Sequence, residues 1–178
     1  MGASPLVSKP KVGFTLCSSE LRMKLELTGS AEVDAPREVV WQRLIDPRFV
    51  AQSAPGIESV EVLDPTHFRV TSGFGIGRMR ARVMLEGALF DLIPDTSARM
   101  TMRGTGPGST IDVLSTIAIK QAGTEKVRLD WTALAELSGP MVKVGARMLE
   151  GIAHNLTDQF WIDFARRVAE EERVGRVL

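Results

Sequence analysis

The chain has 178 residues, of which 44% are hydrophobic and 25% charged, and its 22 Lys and Arg residues balance its 22 Asp and Glu residues. This length and composition predict one packed domain rather than a disordered chain. A formal net charge of zero provides no whole-chain basic surface, so we expect no nucleic-acid partner. The single Cys17 cannot form an internal disulfide, which fits a reducing compartment.

The chain is predicted to begin with a tail over residues 1–22. Its apolar residues are scattered without a regular period, and no basic start precedes a continuous apolar block as in a secretory signal. We therefore predict that this tail is flexible, that one domain spans residues 23–172 and that 173–178 form a C-terminal end. No apolar run is long enough to cross a membrane. The predicted location is the cytoplasm, either free or peripheral at the inner face of the membrane.

The predicted domain starts with a strand over residues 23–33, where apolar and polar residues alternate. Two short helical pieces follow, over 36–46 with Asp34 as the cap and over 48–53, and the break Pro55-Gly56 ends them. Six further strands alternate in the same way, and the short turns between them make neighbours antiparallel. These strands are predicted over residues 57–63, 67–74, 78–92 and 97–103, around 113–119, and over 127–137.

A change of period predicts one long helix at the end of the chain. From Met141 to Phe164 apolar residues recur every three or four positions, and Pro140 suits a first turn. The fold class is therefore α+β, with a curved seven-stranded antiparallel sheet wrapped around a C-terminal helix of about 30 residues. Bulky aromatic residues occupy only the C-terminal half of that helix, so a gap between helix and sheet is predicted at its other half.

The inward positions of the strands are apolar and rich in methionine, whose flexible thioether adapts to varied apolar shapes. A cavity there would accept an isoprenoid or acyl chain. Ordinary core packing is the simpler explanation for each methionine taken singly, whereas the set as a whole favours a cavity. Trp131 either stacks on a ligand ring or belongs to the core. The predicted cavity-lining residues are Met79, Val83, Met100, Met102, Ile117, Trp131, Met148 and Ile152. The predicted cavity mouth consists of Phe49, Pro55, Gly56, Phe74 and Met141.

Arginines are predicted to share the outer face of three neighbouring strands. Such a face would dock an acidic partner or anionic lipid head groups, although a simply solvated surface explains it too. The residues are Arg69, Arg78, Arg80, Arg82, Arg99 and Arg103.

Catalytic and metal-binding patterns are not found in the sequence. His67 and His154 have no cysteine near them in sequence, and neither HExxH nor CxxC occurs. Inward carboxylates that would perform acid–base chemistry are missing as well. We predict no catalytic residues, no metal and no covalent cofactor. The glycine-rich stretches GFGIG and GTGPG are interpreted as hairpin turns, because neither leads into a helix.

Three segments resemble one known family when taken in order. They are APREVVWQRLIDPRFVAQSAPGIESVE, the strand RMRARVMLEG and the helix region SGPMVKVGARMLEGIAHNLTDQFWIDF. Together they are similar to the carbon-monoxide dehydrogenase G-subunit (CoxG) family, within the START/Bet v 1-like helix-grip superfamily. The resemblance covers about Met23 to Arg167.

This resemblance implies a non-catalytic accessory protein with an elongated apolar cavity that holds a quinone or lipid. It also implies a carbon-monoxide dehydrogenase-like molybdenum hydroxylase as partner, with peripheral membrane contact. Some relatives carry a long C-terminal extension for membrane association, and we expect none here. Two alternatives remain open, namely a cyclase or hydrolase of the same fold and a docking module with a filled core.

Overall fold

The computed structural model describes residues 7–13, 22–76, 79–106 and 108–175, and side chains within these ranges except in 7–13 and 74–81. It contains eight strands, two short helices, a 3₁₀ helix and one long helix. In chain order these are β1 (Val7–Gly13), β2 (Arg22–Val33), α1 (Arg37–Leu44), α2 (Pro47–Ser53), β3 (Ile57–Val62), β4 (His67–Ile76), β5 (Met79–Ile93), β6 (Ser97–Gly106), β7 (Ser109–Gly123), β8 (Lys126–Ser138), the 3₁₀ helix Pro140–Val144 and α3 (Ala146–Gly175).

All strands form one curved antiparallel sheet in the order β1-β2-β8-β7-β6-β5-β4-β3. The seven predicted strands are present, and α3 lies on the inner face of the sheet, so the helix-grip fold is confirmed. An eighth strand, β1, lies in the segment predicted as a tail and pairs with β2. A register shift between Ser8 and Lys11 interrupts its alternation, and it contains Pro10, which an edge strand tolerates. These two features hid the strand in the sequence.

The inner face of the sheet follows the predicted alternation. In register, one row across it is Gly29, Trp131, Ile117 and Ala98 on β2, β8, β7 and β6. Burial is strongest on β2 and β8, where Val33, Val127 and Leu129 are fully buried. The apolar residues of these strands therefore supply most of the sheet's share of the core.

The two short helices pack on the inner face through α1 residues Val40, Trp41 and Leu44 and through Phe49 of α2. Asp46 caps α2, because its carboxylate accepts a hydrogen bond from the Arg48 N–H at 2.9 Å.

The predicted Asp34 cap of α1 is wrong. Pro36 occupies the cap position without a side-chain hydrogen bond, and Asp34 instead lies 3.7 Å from the Lys126 ammonium. The helix therefore starts without a side-chain cap, and the carboxylate predicted for that role belongs to an ion pair with β8.

The long helix α3 is separated from the sheet by a short irregular joint. Gly139 and Gly145 flank the 3₁₀ helix with φ of 85° and 102°, values that L residues with a side chain rarely adopt. Pro140 thus begins the 3₁₀ helix rather than α3. Further along, α3 buries Trp161, Phe164 and Val168, which fits the prediction that its bulky half meets the sheet.

The buried core is divided into two clusters. The larger one surrounds the C-terminal half of α3 and includes Trp161, Phe164 and Trp131. The smaller one joins Met23, Leu25, Leu137, Val142 and Leu149 at the beginning of α3. The apolar side chains between the two clusters are only half-buried, and this region contains the candidate site.

Candidate functional site

The inner face of the sheet is covered unevenly by α3. Its backbone approaches β2 most closely, with a smaller contact to β1, whereas α1 contacts β7 and β8 and α2 contacts β3 at the far edge of the sheet. Within the described residues, α3 itself makes fewer close backbone contacts with β6 and β7 than with β2. Because a sheet face is apolar on its inner side, incomplete cover leaves apolar side chains accessible there.

Half-buried residues on three adjacent strands form the sheet wall of this region. Met102 of β6 lies opposite Val113 of β7, which lies opposite Ala135 of β8. Met100 and Ala133 occupy the next inward positions of β6 and β8, and all five are half-buried. Residues in the centre of a sheet that packs tightly on a helix are normally buried completely.

The helix wall consists of residues spaced four apart along α3. Met148 is 49% exposed, Leu156 is 43% exposed and Ile152 between them is half-buried. Phe160 and Arg167 continue this side of the helix, and the Arg167 guanidinium lies 5.4 Å from the Phe49 ring of α2. Phe160 packs against the larger core cluster, so its part of α3 faces the inner face of the sheet. We call these two sets of residues, on the strands and on α3, the groove.

The predicted lining residues divide between groove and core. Met100, Met102, Ile117 and Ile152 are half-buried around the groove, and Met148 is exposed at its helix wall. Val83 is only 4% exposed and packs beside Gly104 of the neighbouring strand. The side chain of Met79 lies outside the described residues.

Trp131 belongs to the packed core. Its ring stacks on Trp161 with centroids 5.9 Å apart, and a Cβ on Gly29 would lie 2.6 Å from its Cζ2 atom. The ring is thus held between a glycine and a second indole, and the residue is buried. Its Nε1–H is buried and has no hydrogen-bond partner in the part of the chain that the structure describes. Of the two interpretations of this residue, the geometry favours the core residue.

Phe49 does not lie at an opening, in contrast to its predicted place at the cavity mouth. It is 5% exposed and meets the Phe164 ring edge-on at 5.6 Å. The guanidinium groups of Arg43 and Arg167 lie 5.3 and 5.4 Å from its ring. The sequence showed an apolar residue between two helical turns, and only the tertiary packing reveals that it is enclosed.

The other predicted mouth residues are placed in different surroundings. Gly56 has φ of 79°, and its carbonyl accepts hydrogen bonds from the Gly73 N–H at 2.9 Å and the Ser72 hydroxyl at 3.2 Å. The half-buried Pro55 precedes this junction with β4. Met141 is half-buried against the smaller core cluster. The Phe74 side chain lies outside the described residues.

The four predicted arginines whose side chains the structure describes lie on one face, but carboxylates neutralise them. Arg69, Arg82, Arg99 and Arg103 all lie on the outer face, as the alternation predicted. Each has a carboxylate partner within 3.2 Å, namely Glu61 and Glu86 for Arg69, Glu58 for Arg82, Asp91 for Arg99 and Asp112 for Arg103. Cross-strand pairing with acidic residues, which needs the register, therefore balances the charge. Arg78 and the side chain of Arg80 lie outside the described residues.

Sequence reasoning missed several groove residues. Val113, Ala133 and Ala135 were placed on inward faces but not assigned to the cavity, and Leu156 was treated as part of the helical stripe. Small residues in mid-strand were the available signal, because they leave space where a core would carry larger side chains.

The groove differs in character from a metal centre and from a membrane span. Within residues 22–76, 79–106 and 108–175, no three His, Cys, Asp or Glu side chains are grouped so as to hold a metal ion. Among the described helices, none combines the length and apolar character needed to cross a membrane. A shallow depression at the C-terminal end of α3 is lined by Arg43, Glu170, Glu171 and Val174, far along the helix from the groove.

A curved antiparallel sheet that grips a long C-terminal helix defines a START-like protein of the helix-grip class. The chain belongs to the carbon monoxide dehydrogenase G-subunit family (CoxG), whose sequence model matches residues 29–169. The predicted family is thereby confirmed. No curated protein matches the chain.

Solved structures share this fold at low sequence identity. A conserved protein from Geobacillus kaustophilus has a TM-score of 0.75 at 23% identity, covering 82% of this chain and 95% of its own. A START superfamily protein from Mycobacterium smegmatis has a TM-score of 0.66 at 16% identity, covering 82% and 97%. The ZhuI aromatase/cyclase from Streptomyces sp. R1128 has a TM-score of 0.61 at 17% identity, covering 85% and 96%. At these identities the likeness concerns the fold alone.

Proposed function

We propose that this protein is a non-catalytic accessory protein that binds an apolar ligand, a quinone or a lipid, in the groove. The observation that carries the proposal is the half-buried apolar surface on both walls, between two separate core clusters. When an apolar ligand covers apolar side chains that were accessible to water, the removal of this surface from water favours binding. Membership of the CoxG family supports a carbon-monoxide dehydrogenase-like molybdenum hydroxylase as the enzyme that the protein serves.

The size of the hydrophobic term is sufficient for such binding. Removing ~400 Å² of apolar ligand surface from water at ~25 cal/mol/Å² contributes about 10 kcal/mol before costs. Association entropy and ordering subtract at least ~4 kcal/mol. The remainder, at most about 6 kcal/mol, corresponds to a dissociation constant of roughly tens of micromolar or weaker, without a charged contact.

The charge pattern favours ligand carriage over attachment to anionic lipid. A polybasic surface would gain about 1 kcal/mol per free cation near an anionic membrane. The arginines of the outer face that the structure describes are paired with carboxylates, and they offer little of this gain. We therefore infer a cytoplasmic carrier whose contact with the membrane is made while it exchanges its ligand.

A bulky residue in the groove tests the proposal. Ala133→Trp adds an indole at an inward, half-buried position, whereas Thr132→Trp adds the same group at the adjacent outward position of β8. Native mass spectrometry of the purified proteins should show an apolar guest on the wild type and on Thr132→Trp, and little or none on Ala133→Trp. The control separates filling of the groove from a general effect of a new tryptophan on β8.

Two outcomes would contradict the proposal. One is a wild-type protein that carries no apolar guest and takes up neither menadione nor octanol when these are added. The other is a guest retained equally by both variants. Turnover of a bound small molecule would favour the cyclase or hydrolase alternative, and a ligand-free protein that still binds the dehydrogenase would favour the docking module.

A further inference from the structure

Ser115 supplies a hydroxyl to a wall of the groove that is otherwise apolar. It lies in the middle of β7 and shares the inner face with Val113 and Ile117. Its cross-strand neighbours are Met100 on β6 and Ala133 on β8. The hydroxyl therefore stands among thioether, methyl and aliphatic groups, at the centre of the sheet wall.

This hydroxyl has no hydrogen-bond partner among the residues that the structure describes, and the Ser115 side chain is half-buried. Other hydroxyls on the inner side of the fold are satisfied, whereas half-buried hydroxyls without a partner in the described part of the chain, such as those of Thr28, Ser30 and Thr116, lie on the outer face of the sheet. Ser109 accepts from the Met141 N–H at 3.1 Å, Ser53 donates to the Phe49 carbonyl at 3.4 Å and Thr157 donates to the Ala153 carbonyl at 2.7 Å. Polar groups in apolar surroundings are nearly always paired. Ser115 is the exception among these inward hydroxyls, and a bound ligand would supply the missing hydrogen-bond partner.

We propose that the Ser115 hydroxyl hydrogen-bonds an uncharged oxygen of the bound ligand, a carbonyl or a hydroxyl. The inference deepens the proposed function and rests on it. The small side chain of Ala133 leaves room beside the hydroxyl, so the polar end of the ligand lies in mid-groove. Its hydrocarbon part extends between Met102 and the α3 residues Ile152 and Leu156.

The surroundings also define the charge of the ligand. No lysine, arginine or histidine lies on the inner faces of β6, β7 and β8 in the described part of the sheet. A carboxylate buried beside Ser115 would thus have no countercharge on the sheet wall, and its desolvation would oppose binding. A neutral quinone, ester or alcohol fits this site, whereas the anion of a fatty acid does not.

Two probe pairs test the inference. Menadione and methylnaphthalene share a methylated bicyclic ring, but only menadione has carbonyl oxygens, and octanol and octane differ by one hydroxyl. Dissociation constants for wild type, Ser115→Ala, Ser115→Thr and Thr116→Ala would be measured by displacement of a fluorescent apolar dye. Thr116 is the next residue on β7 and faces outward, so Thr116→Ala is the matched control.

Ser115→Ala should weaken binding of menadione, octanol or both by about five- to tenfold, as expected for loss of one neutral hydrogen bond. Binding of the oxygen-free partner of each pair should not change. Ser115→Thr keeps a hydroxyl and should retain the preference for the oxygen-bearing probe, and Thr116→Ala should behave as wild type. If only menadione binding weakens, the Ser115 hydroxyl prefers a carbonyl oxygen of the ligand. If only octanol binding weakens, it prefers a hydroxyl.

The possible failures are distinguishable. If wild type binds the probes but Ser115→Ala changes neither pair, or weakens both members of each pair equally, the role of Ser115 is refuted and the carrier function stands. If wild type binds none of the four probes, both proposals are overturned.

Discussion

At the residue scale, the packing of the core depends on glycines that leave space for aromatic rings. The Trp131 ring lies directly above the backbone of Gly29 in β2, and the Phe68 ring lies in the same way above Gly87 in β5. A Cβ atom added at Gly87 would lie only 2.2 Å from the Phe68 Cζ atom. A ring seated on a glycine buries its face fully, but the neighbouring strand must then carry no side chain at that position. The two glycines thus decide where aromatic residues fit on the inner face.

Gly29→Ala should destabilise the protein. The added methyl group would overlap the Trp131 ring, which cannot move away because Trp161 stacks on its other side. The expected loss is about 1–3 kcal/mol in the free energy of unfolding, measured by urea denaturation. Gly151→Ala is the control, because a Cβ at Gly151 of α3 meets nothing within 4 Å. That variant should gain up to about 1 kcal/mol from helix propensity, and equal stabilities would contradict the account.

The turn between β3 and β4 contains a carboxylate with a shifted pKa. The Thr66 backbone N–H, followed by the His67 side chain, holds the pKa of Asp64 at about 2, compared with its usual 3.8. Because the folded pKa is the lower one, the stabilisation is complete above pH 3.8 and is lost as the pH falls towards 2. Amide exchange of Thr66 and His67 should accelerate over that interval in wild type.

Asp64→Asn removes the titrating group, so exchange at these two amides should lose its dependence on pH in the same acidic interval, after correction for intrinsic exchange. An unchanged pH profile in the variant would show that another group controls the turn.

At the scale of elements, the outer face is organised by register. One row across the sheet reads Lys24, Glu136, Asp112, Arg103, Glu86, Arg69 and Glu61, from β2 to β3. The Arg103–Asp112 hydrogen bond at 2.6 Å raises the pKa of that arginine. The face that sequence alternation marked as basic is consequently a row in which both signs of charge are interspersed.

Among these charges, removal of Arg69 should cost the most stability, because its guanidinium contacts Glu61 at 3.2 Å and Glu86 at 3.1 Å. Arg69→Gln should lower the free energy of unfolding by about 1 kcal/mol at low salt, since two carboxylates lose their shared cation. The loss should shrink at about 1 M salt, where screening is nearly complete. Lys24→Gln removes one exposed pair with Glu136 and should have a smaller effect. Equal losses in both variants at both salt concentrations would contradict this explanation.

The elements themselves were largely predictable from the sequence. Period-two alternation located β2 to β8 within a few residues, because an inward face that is buried imposes that alternation. β1 was not predictable, since the register shift breaks its period. The separation of α3 from the 3₁₀ helix depends on the backbone angles of Gly139 and Gly145, and the periodicity of apolar residues gives no information about these angles.

At the scale of the whole molecule, the candidate site depends on the position of α3 on the sheet. Neither the enclosure of Phe49 nor the carboxylate partners of the arginines were visible in the sequence, because both depend on residues distant along the chain. The helix contacts β2 and β1 more than the middle strands, and the proposed groove depends on this offset. The fold was thus predictable from local patterns, while the site depends on the relative placement of whole elements.

The division of the core has a consequence for how a guest enters and leaves. Each end of α3 is anchored by its own cluster, Leu149 with Met23 at one end and Phe164 with Val33 at the other. If the proposed ligand binds in the middle, both anchors stay in place. Loading and unloading would then require only a local adjustment of a few flexible side chains, with the helix remaining docked throughout.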